Sequence, residues 1–226
     1  MPLTSSPTLA ADLAAAAERL RASTVAVLVG ERGPRARYAP ADAPAGQGSG
    51  IVWRADGLIV TNAHVARAEH VAVLLPDGRR VAARLVARDP RRDLAVLQAD
   101  AGGLTAATPG DPDALRTGQL VLAFGHPLGL ANALALGIVH STVTSSARHH
   151  RTSPWARAGA SLIRADVRLL PGNSGGPLAD ASGRVLGVNT MIVGGLGVAV
   201  SVREVDALLN AGPAADRARR DVPYAA

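Results

Sequence analysis

From Val25 onward the chain is a series of short apolar runs, each closed by Gly, Pro or Asp. The first set covers 25–29, 50–53, 58–61, 71–75, 81–86 and 94–98. The second covers 120–124, 136–142, 161–166, 176–178, 184–189 and 198–202. Runs of this length, rich in Val, Ile and Leu, predict strands. Asp56-Gly57 and Asp77-Gly78 stand between neighbouring runs as hairpin turns do. Helices do not alternate with these strands, which argues against a doubly wound parallel sheet. Six strands, a Gly/Pro/Asp-rich stretch from Ala101 to Gly118 and six more strands predict an all-β fold of two six-stranded antiparallel β-barrels. Ahead of them Leu9, Leu13, Ala16, Ala17 and Leu20 recur at helical spacing behind Ser6-Pro7, a cap and first-turn proline. They predict an amphipathic helix over 7–21, and a short helix near 202–209 closes the chain. The implied organisation is a helical segment 1–22, a first lobe 23–100, a linker 101–118, a second lobe 119–205, and a helix end and tail 206–226. Loops 30–48 and 145–159 read as exposed.

Composition narrows the function classes. The 226 residues are 48% hydrophobic and 19% charged, a globular balance. Cysteine is absent, which removes disulfides, thiol catalysis and Cys-ligated metal. No apolar run approaches the roughly 20 residues of a membrane helix. Residues 1–7 lack a basic and an apolar segment of signal-peptide type. The expectation is cytoplasmic for the chain as it stands, or periplasmic or extracellular if a leader precedes it. All 24 basic residues are Arg, against 18 acidic ones, for a net charge of +6. A basic chain invites a nucleic-acid reading. Only Tyr38, Trp53, Phe124, Trp155 and Tyr224 could stack on bases, so no nucleic-acid partner is expected. The basic run Arg79, Arg80, Arg84, Arg88, Arg91 and Arg92 reads as a solvated face. His149-His150 has no third ligand in view, so neither a metal nor another cofactor is expected.

The chemistry concentrates in Pro171-Gly172-Asn173-Ser174-Gly175-Gly176-Pro177. The loose G-x-S-x-G pattern also fits the nucleophile elbow of an α/β-hydrolase, which needs its His after the Ser. All six histidines precede Ser174, so chain order excludes that fold. Thr61-Asn62-Ala63-His64-Val65 puts an imidazole just past a predicted strand, and Asp93-Leu94-Ala95-Val96-Leu97 puts a carboxylate just before one. A serine hydroxyl does not ionise at neutral pH. It needs an imidazole to take its proton, and the imidazole needs an acid to set its tautomer. His64, Asp93 and Ser174 supply those three roles from two lobes, with the cleft between them as the reaction site. Asp89 is the nearest rival acid but lacks the strand directly behind it.

These segments resemble the trypsin-fold serine peptidases, and most nearly the high-temperature-requirement (HtrA/Deg) proteases. Gly48-Ser49-Gly50-Ile51-Val52, Gly125-His126-Pro127-Leu128-Gly129-Leu130, Gly137-Ile138-Val139 and Gly183-Arg184-Val185-Leu186-Gly187 agree in the same order, and the likeness runs from about Thr24 to Val205. The resemblance implies the same triad, with the backbone N–H groups of Gly172 and Ser174 as oxyanion hole. It implies a groove around Asn189, Thr190, Met191 and Ile192 that takes an extended peptide as an added strand, and a possible homotrimer.

The function expected is a serine endopeptidase acting on peptides or unfolded proteins. The alternative is a resting or inactive protease-fold binding protein that needs activation or only binds peptides. The 21 residues after Val205 are too few for the PDZ domain common in the family, and Asn173 replaces the acid of zymogen-activated trypsins. Arg168 falls six positions before the nucleophile, at the expected base of the specificity pocket. There it would select an acidic side chain, whereas the family resemblance implies a shallow aliphatic pocket. With Leu169, Leu170, Val188 and Met191 as apolar walls, Arg168 is expected to turn away to solvent.

Overall fold

The computed structural model describes residues 9–29, 46–126, 132–143 and 160–211. The first element is helix α1 (Leu9–Ser23), which turns Ala16 and Leu20 inward. Six strands follow: β1 (Thr24–Val29), β2 (Gly46–Arg54), β3 (Leu58–Thr61), β4 (His70–Leu74), β5 (Arg80–Asp89) and β6 (Leu94–Ala99). The second set is β7 (Leu120–Gly125), β8 (Ala133–Val143), β9 (Leu162–Asp166), β10 (Pro177–Asp180), β11 (Val185–Val193) and β12 (Leu196–Ser201), with α2 (Val202–Asn210) behind it. Each set closes into an antiparallel barrel, in the orders β1-β2-β3-β6-β5-β4 and β10-β11-β12-β9-β8-β7. The two barrels share one connectivity, since the second order is the first read from its other end.

The continuous apolar runs are explained by what covers them. Ile59, Ala95 and Leu97 point into the first barrel, and Val121, Ala123 and Leu186 into the second. Their neighbours Leu58, Val60, Leu94, Val96, Leu122 and Phe124 point the other way, into a third cluster with Ala16 and Leu20 of α1 and Val205 and Leu208 of α2. Strands buried on both faces lose the apolar–polar alternation of a half-solvated sheet. Burying each such Leu or Phe stabilises the fold by about 1.5–3 kcal/mol, so the third cluster welds barrel to barrel.

Several boundaries differ from the sequence reading. β2 begins at Gly46, inside a stretch read as loop, and its glycine at 48 is a packing choice. A Cβ there would lie 2.5 Å from Val65 Cγ1. β8 begins at Ala133, three residues early, and β11 runs on to Val193. Loop 30–48 falls mostly, and loop 145–159 with His149-His150 wholly, outside the described residues.

Two of the six arginines read as solvated are not. Arg88 Nη2 donates to the Ala63 carbonyl at 2.9 Å. Arg92 pairs with Asp89 at 2.7 Å and with Glu204 of α2 at 2.7 Å. Asp89, almost fully buried, is therefore the cap of the β5–β6 turn, accepting Arg91 N–H at 3.1 Å and Arg92 N–H at 3.3 Å. Burial opposes the Arg92 charge, but the Asp89 hydrogen bond and the Asp89 and Glu204 charges outweigh it and raise its pKa.

Candidate active site

The nucleophile candidate sits on two turns in succession. Asn173 N–H donates to the Leu170 carbonyl at 3.0 Å, closing Leu170-Pro171-Gly172-Asn173. Gly172, third in that turn, has φ +105°. Gly176 N–H donates to the Asn173 carbonyl at 3.0 Å, closing Asn173-Ser174-Gly175-Gly176, again with a left-handed third residue, Gly175 at φ +85°. Proline second and left-handed glycine third are the marks of a type II turn. Gly175 has a further reason to be glycine: a Cβ would lie 2.1 Å from the Ser49 carbonyl oxygen and 2.3 Å from Thr61 Oγ1. The double turn thus puts Ser174 at a bend of the second barrel, facing the first. Its Oγ donates to the Thr190 carbonyl at 3.4 Å, and among the described residues it makes no hydrogen bond to His64.

The first barrel presents the base. His64 follows β3 in a tight turn in which Val65 N–H and Ala66 N–H both donate to the Asn62 carbonyl, at 3.1 and 3.0 Å. One carboxylate clasps this residue twice. Asp93 Oδ1 accepts the His64 main-chain N–H at 2.9 Å, and Oδ2 meets His64 Nδ1 at 2.7 Å. An acceptor on Nδ1 draws the ring proton there and leaves Nε2 with its lone pair free to take a proton.

Asp93 is itself strongly constrained. It is fully buried and left-handed at φ +54°, a backbone state costing an L-residue about 1–2 kcal/mol. Asn62 Nδ2 donates to its main-chain carbonyl at 2.9 Å. The Thr190 hydroxyl, from β11 of the other barrel, donates to Oδ2 at 2.5 Å. Three donors thus converge on one buried carboxylate and fix its orientation.

The residues expected to line a groove divide. Val188 is fully buried in the inter-barrel cluster. Asn189 Nδ2 is spent on the Pro177 carbonyl at 2.9 Å, while its main chain exchanges hydrogen bonds with Gly175 and Gly176, both at 2.8 Å. Thr190 serves Asp93. Leu170 and Met191 are half-buried and Ile192 is exposed. Val167 and Leu169 turn inward against Gly197, where a Cβ would lie 2.8 Å from Val167 Cγ1 and 3.1 Å from Leu169 Cδ1. Arg168 between them is exposed, so the inward–outward alternation continues past the end of β9.

Two residues of this site went unassigned in the sequence reading. Asn62 holds the Asp93 carbonyl, and Ser49 reaches across from β2, its Oγ donating to the Gly172 carbonyl at 2.7 Å. A serine between two glycines, Gly48-Ser49-Gly50, was the available signal. His126, at the end of β7, is buried and donates its main-chain N–H to Ser49 Oγ at 3.0 Å. Burial lowers its pKa, opposed in part by the Thr24 backbone.

A nucleophile candidate from one barrel beside an acid–imidazole pair from the other is the arrangement of a double-barrel serine peptidase. The Trypsin-like peptidase domain family matches residues 48–188, and the chain belongs to that family. A probable periplasmic serine endoprotease, DegP-like, of Halomonas elongata is 42% identical over 146 residues, spanning 64% of this chain and 29% of its own length. A putative serine protease HhoB of Synechocystis is 38% identical over 162 residues, 70% of this chain and 38% of its own. The chain therefore spans about a third of these relatives. Among solved structures, the HtrA-type protease AlgW with a tripeptide superimposes with a TM-score of 0.73 at 30% identity, covering 89% of this chain and 63% of that one. The serine endoprotease from Yersinia pestis gives 0.71 at 27%, covering 89% and 66%.

Proposed function

We propose that the chain is a serine endopeptidase of HtrA/DegP type that cleaves peptide bonds in extended or unfolded segments. The observation that carries this reading is the double hydrogen bond of Asp93 to His64. It fixes both the place and the tautomer of the imidazole that a serine nucleophile needs. In the reaction His64 Nε2 takes the Ser174 proton as Oγ attacks the scissile carbonyl. The oxyanion is met by the N–H groups of Gly172 and Ser174. The C–N bond breaks as His64 passes its proton to the leaving amine, and the acyl-enzyme is hydrolysed by water along the same route.

The substrate lies as a strand along residues 190–192 of β11, which among the described residues pairs at Met191–Val193 only with β12. Leu169, half-buried Leu170 and Met191 favour Val, Ala, Ile or Leu before the cleaved bond, with the exposed Arg168 outside that pocket. The DegP-like relatives are named periplasmic, which favours action outside the cytoplasm. A serine-directed fluorophosphonate and a peptide library test the proposal together. Labelling at Ser174 and aliphatic selection are expected, and Ser174→Ala should abolish both labelling and cleavage while keeping the fold. Cleavage by the pure Ser174→Ala protein, or selection for Asp or Glu that Arg168→Ala removes, would refute the corresponding half.

A further inference from the structure

We propose that Ser49 is a positioning residue for the reaction, registering the oxyanion turn of the second barrel on the barrel that carries His64. The inference rests on the reading of Ser174 as nucleophile and of the Gly172 and Ser174 amides as oxyanion donors. Ser49 belongs to β2 and is fully buried. Its hydroxyl donates to the Gly172 carbonyl at 2.7 Å and accepts the His126 main-chain N–H at 3.0 Å. Its own N–H donates to the Ser174 carbonyl at 2.7 Å. Its carbonyl accepts the Thr61 hydroxyl at 2.7 Å, only three residues before His64. One residue of the first barrel therefore holds the peptide units that follow both oxyanion donors, and is itself tied to the strand that ends at the base.

The surrounding space is fitted to it. A Cβ on Gly125 would lie 2.8 Å from Ser49 Oγ, and one on Gly176 would lie 3.1 Å from Ser49 Cβ. Hydroxyl removal orphans two buried backbone groups, Gly172 C=O and His126 N–H, and frees the turn to shift against His64. A misplacement of about 1 Å in such a constellation costs on the order of a hundredfold in rate. Substrate itself lies on the second barrel, along β11, so its binding is spared. The signature of Ser49 is thus a loss in kcat at constant KM.

The test compares Ser49→Ala, Ser49→Cys and Ser174→Ala on one chromogenic peptide with an aliphatic residue before the cleaved bond. A matching peptide boronic acid serves as tetrahedral mimic. For Ser49→Ala kcat should fall about ten- to a hundredfold, short of the loss of a direct oxyanion donor. KM should stay within about twofold, and boronate affinity should fall in step with kcat. Ser49→Cys, which keeps a weak donor, should lie between. A purely structural role would lower thermal stability without this split. A folded Ser49→Ala with kcat within about twofold of wild type, or a loss confined to KM with boronate affinity intact, overturns the inference. If Ser49→Ala does not fold, Ser49→Cys decides by the same criteria. Persisting activity in Ser174→Ala overturns the function reading and the inference together. An inactive Ser174→Ala beside a wild-type-like Ser49→Ala overturns the inference alone.

Discussion

The Thr190 hydroxyl of β11 and the Asp93 carboxylate share a 2.5 Å hydrogen bond across the barrel boundary, on the same oxygen that meets His64 Nδ1. The second barrel thereby steers the acid of the first. A hydrogen bond to a charged group is worth about 1.5–3 kcal/mol. Thr190→Val, nearly the same shape without the donor, should lower kcat at least tenfold with little change in KM, while Thr190→Ser should stay close to wild type. Steady-state kinetics on one peptide decide it, and a Thr190→Val enzyme as fast as wild type would show that Thr190 only packs.

Gly175 and Gly78 have nearly the same backbone angle, φ +85° and +86°, and opposite surroundings. A Cβ on Gly175 would penetrate Ser49 and Thr61, whereas one on Gly78 meets nothing within 4 Å. Gly78→Ala carries the left-handed penalty alone, about 1–2 kcal/mol, and should remain active. Gly175→Ala adds a collision with backbone and should lose activity and most of its folded yield. Denaturant unfolding and peptide cleavage of the two variants side by side are the check. Equal losses would contradict the steric account.

The barrels and the candidate site residues were legible because their signals are local. Leu58-Ile59-Val60 announces a strand buried on both faces, and Asp56-Gly57 announces its hairpin. His64, Asp93 and Ser174 each stand at a strand end inside a short motif. The contacts that align them are not local. Thr190 meets Asp93 over 97 residues of chain and Ser49 meets Gly172 over 123, distances over which no periodicity speaks. Arg92 looked like one more solvated arginine because its partner Glu204 lies in α2. Glycine misled in the same way at Gly48, where close packing against Val65 imitates loop composition.

The Arg92 network predicts a stability effect away from the chemistry. Glu204 binds Arg92 through Oε2 and accepts the Ser161 N–H through Oε1 at 2.8 Å, so it joins the β5–β6 turn to β9. Glu204→Gln keeps the acceptor and removes the charge, leaving Arg92 with Asp89, and should cost about 1–2 kcal/mol. Glu204→Ala orphans Ser161 N–H as well and should cost about 2–4 kcal/mol. Urea unfolding of the three proteins measures both steps. If Glu204→Ala matches wild type, the pair contributes nothing to holding the barrels together.

His126 gives the fold a dependence on pH whose sign follows from its burial. Burial disfavours the imidazolium relative to the neutral ring, so the folded pKa lies below the ordinary value of about 6.5. As pH falls below that value the unfolded chain takes up a proton that the folded chain still refuses. Stability then drops with falling pH until the folded imidazole titrates too. Above about pH 6.5 both states are neutral at this position and the residue adds no slope. His126→Asn keeps the main-chain N–H that serves Ser49 and removes the titrating ring, so its unfolding free energy should fall less between pH 6.5 and 5 than that of wild type. Carboxylates common to both proteins contribute equally and cancel in the difference. Denaturant unfolding at several pH values gives the two slopes directly. Parallel curves, or a steeper fall in the variant, would mean that His126 accepts its proton at least as readily in the folded protein as in the unfolded chain.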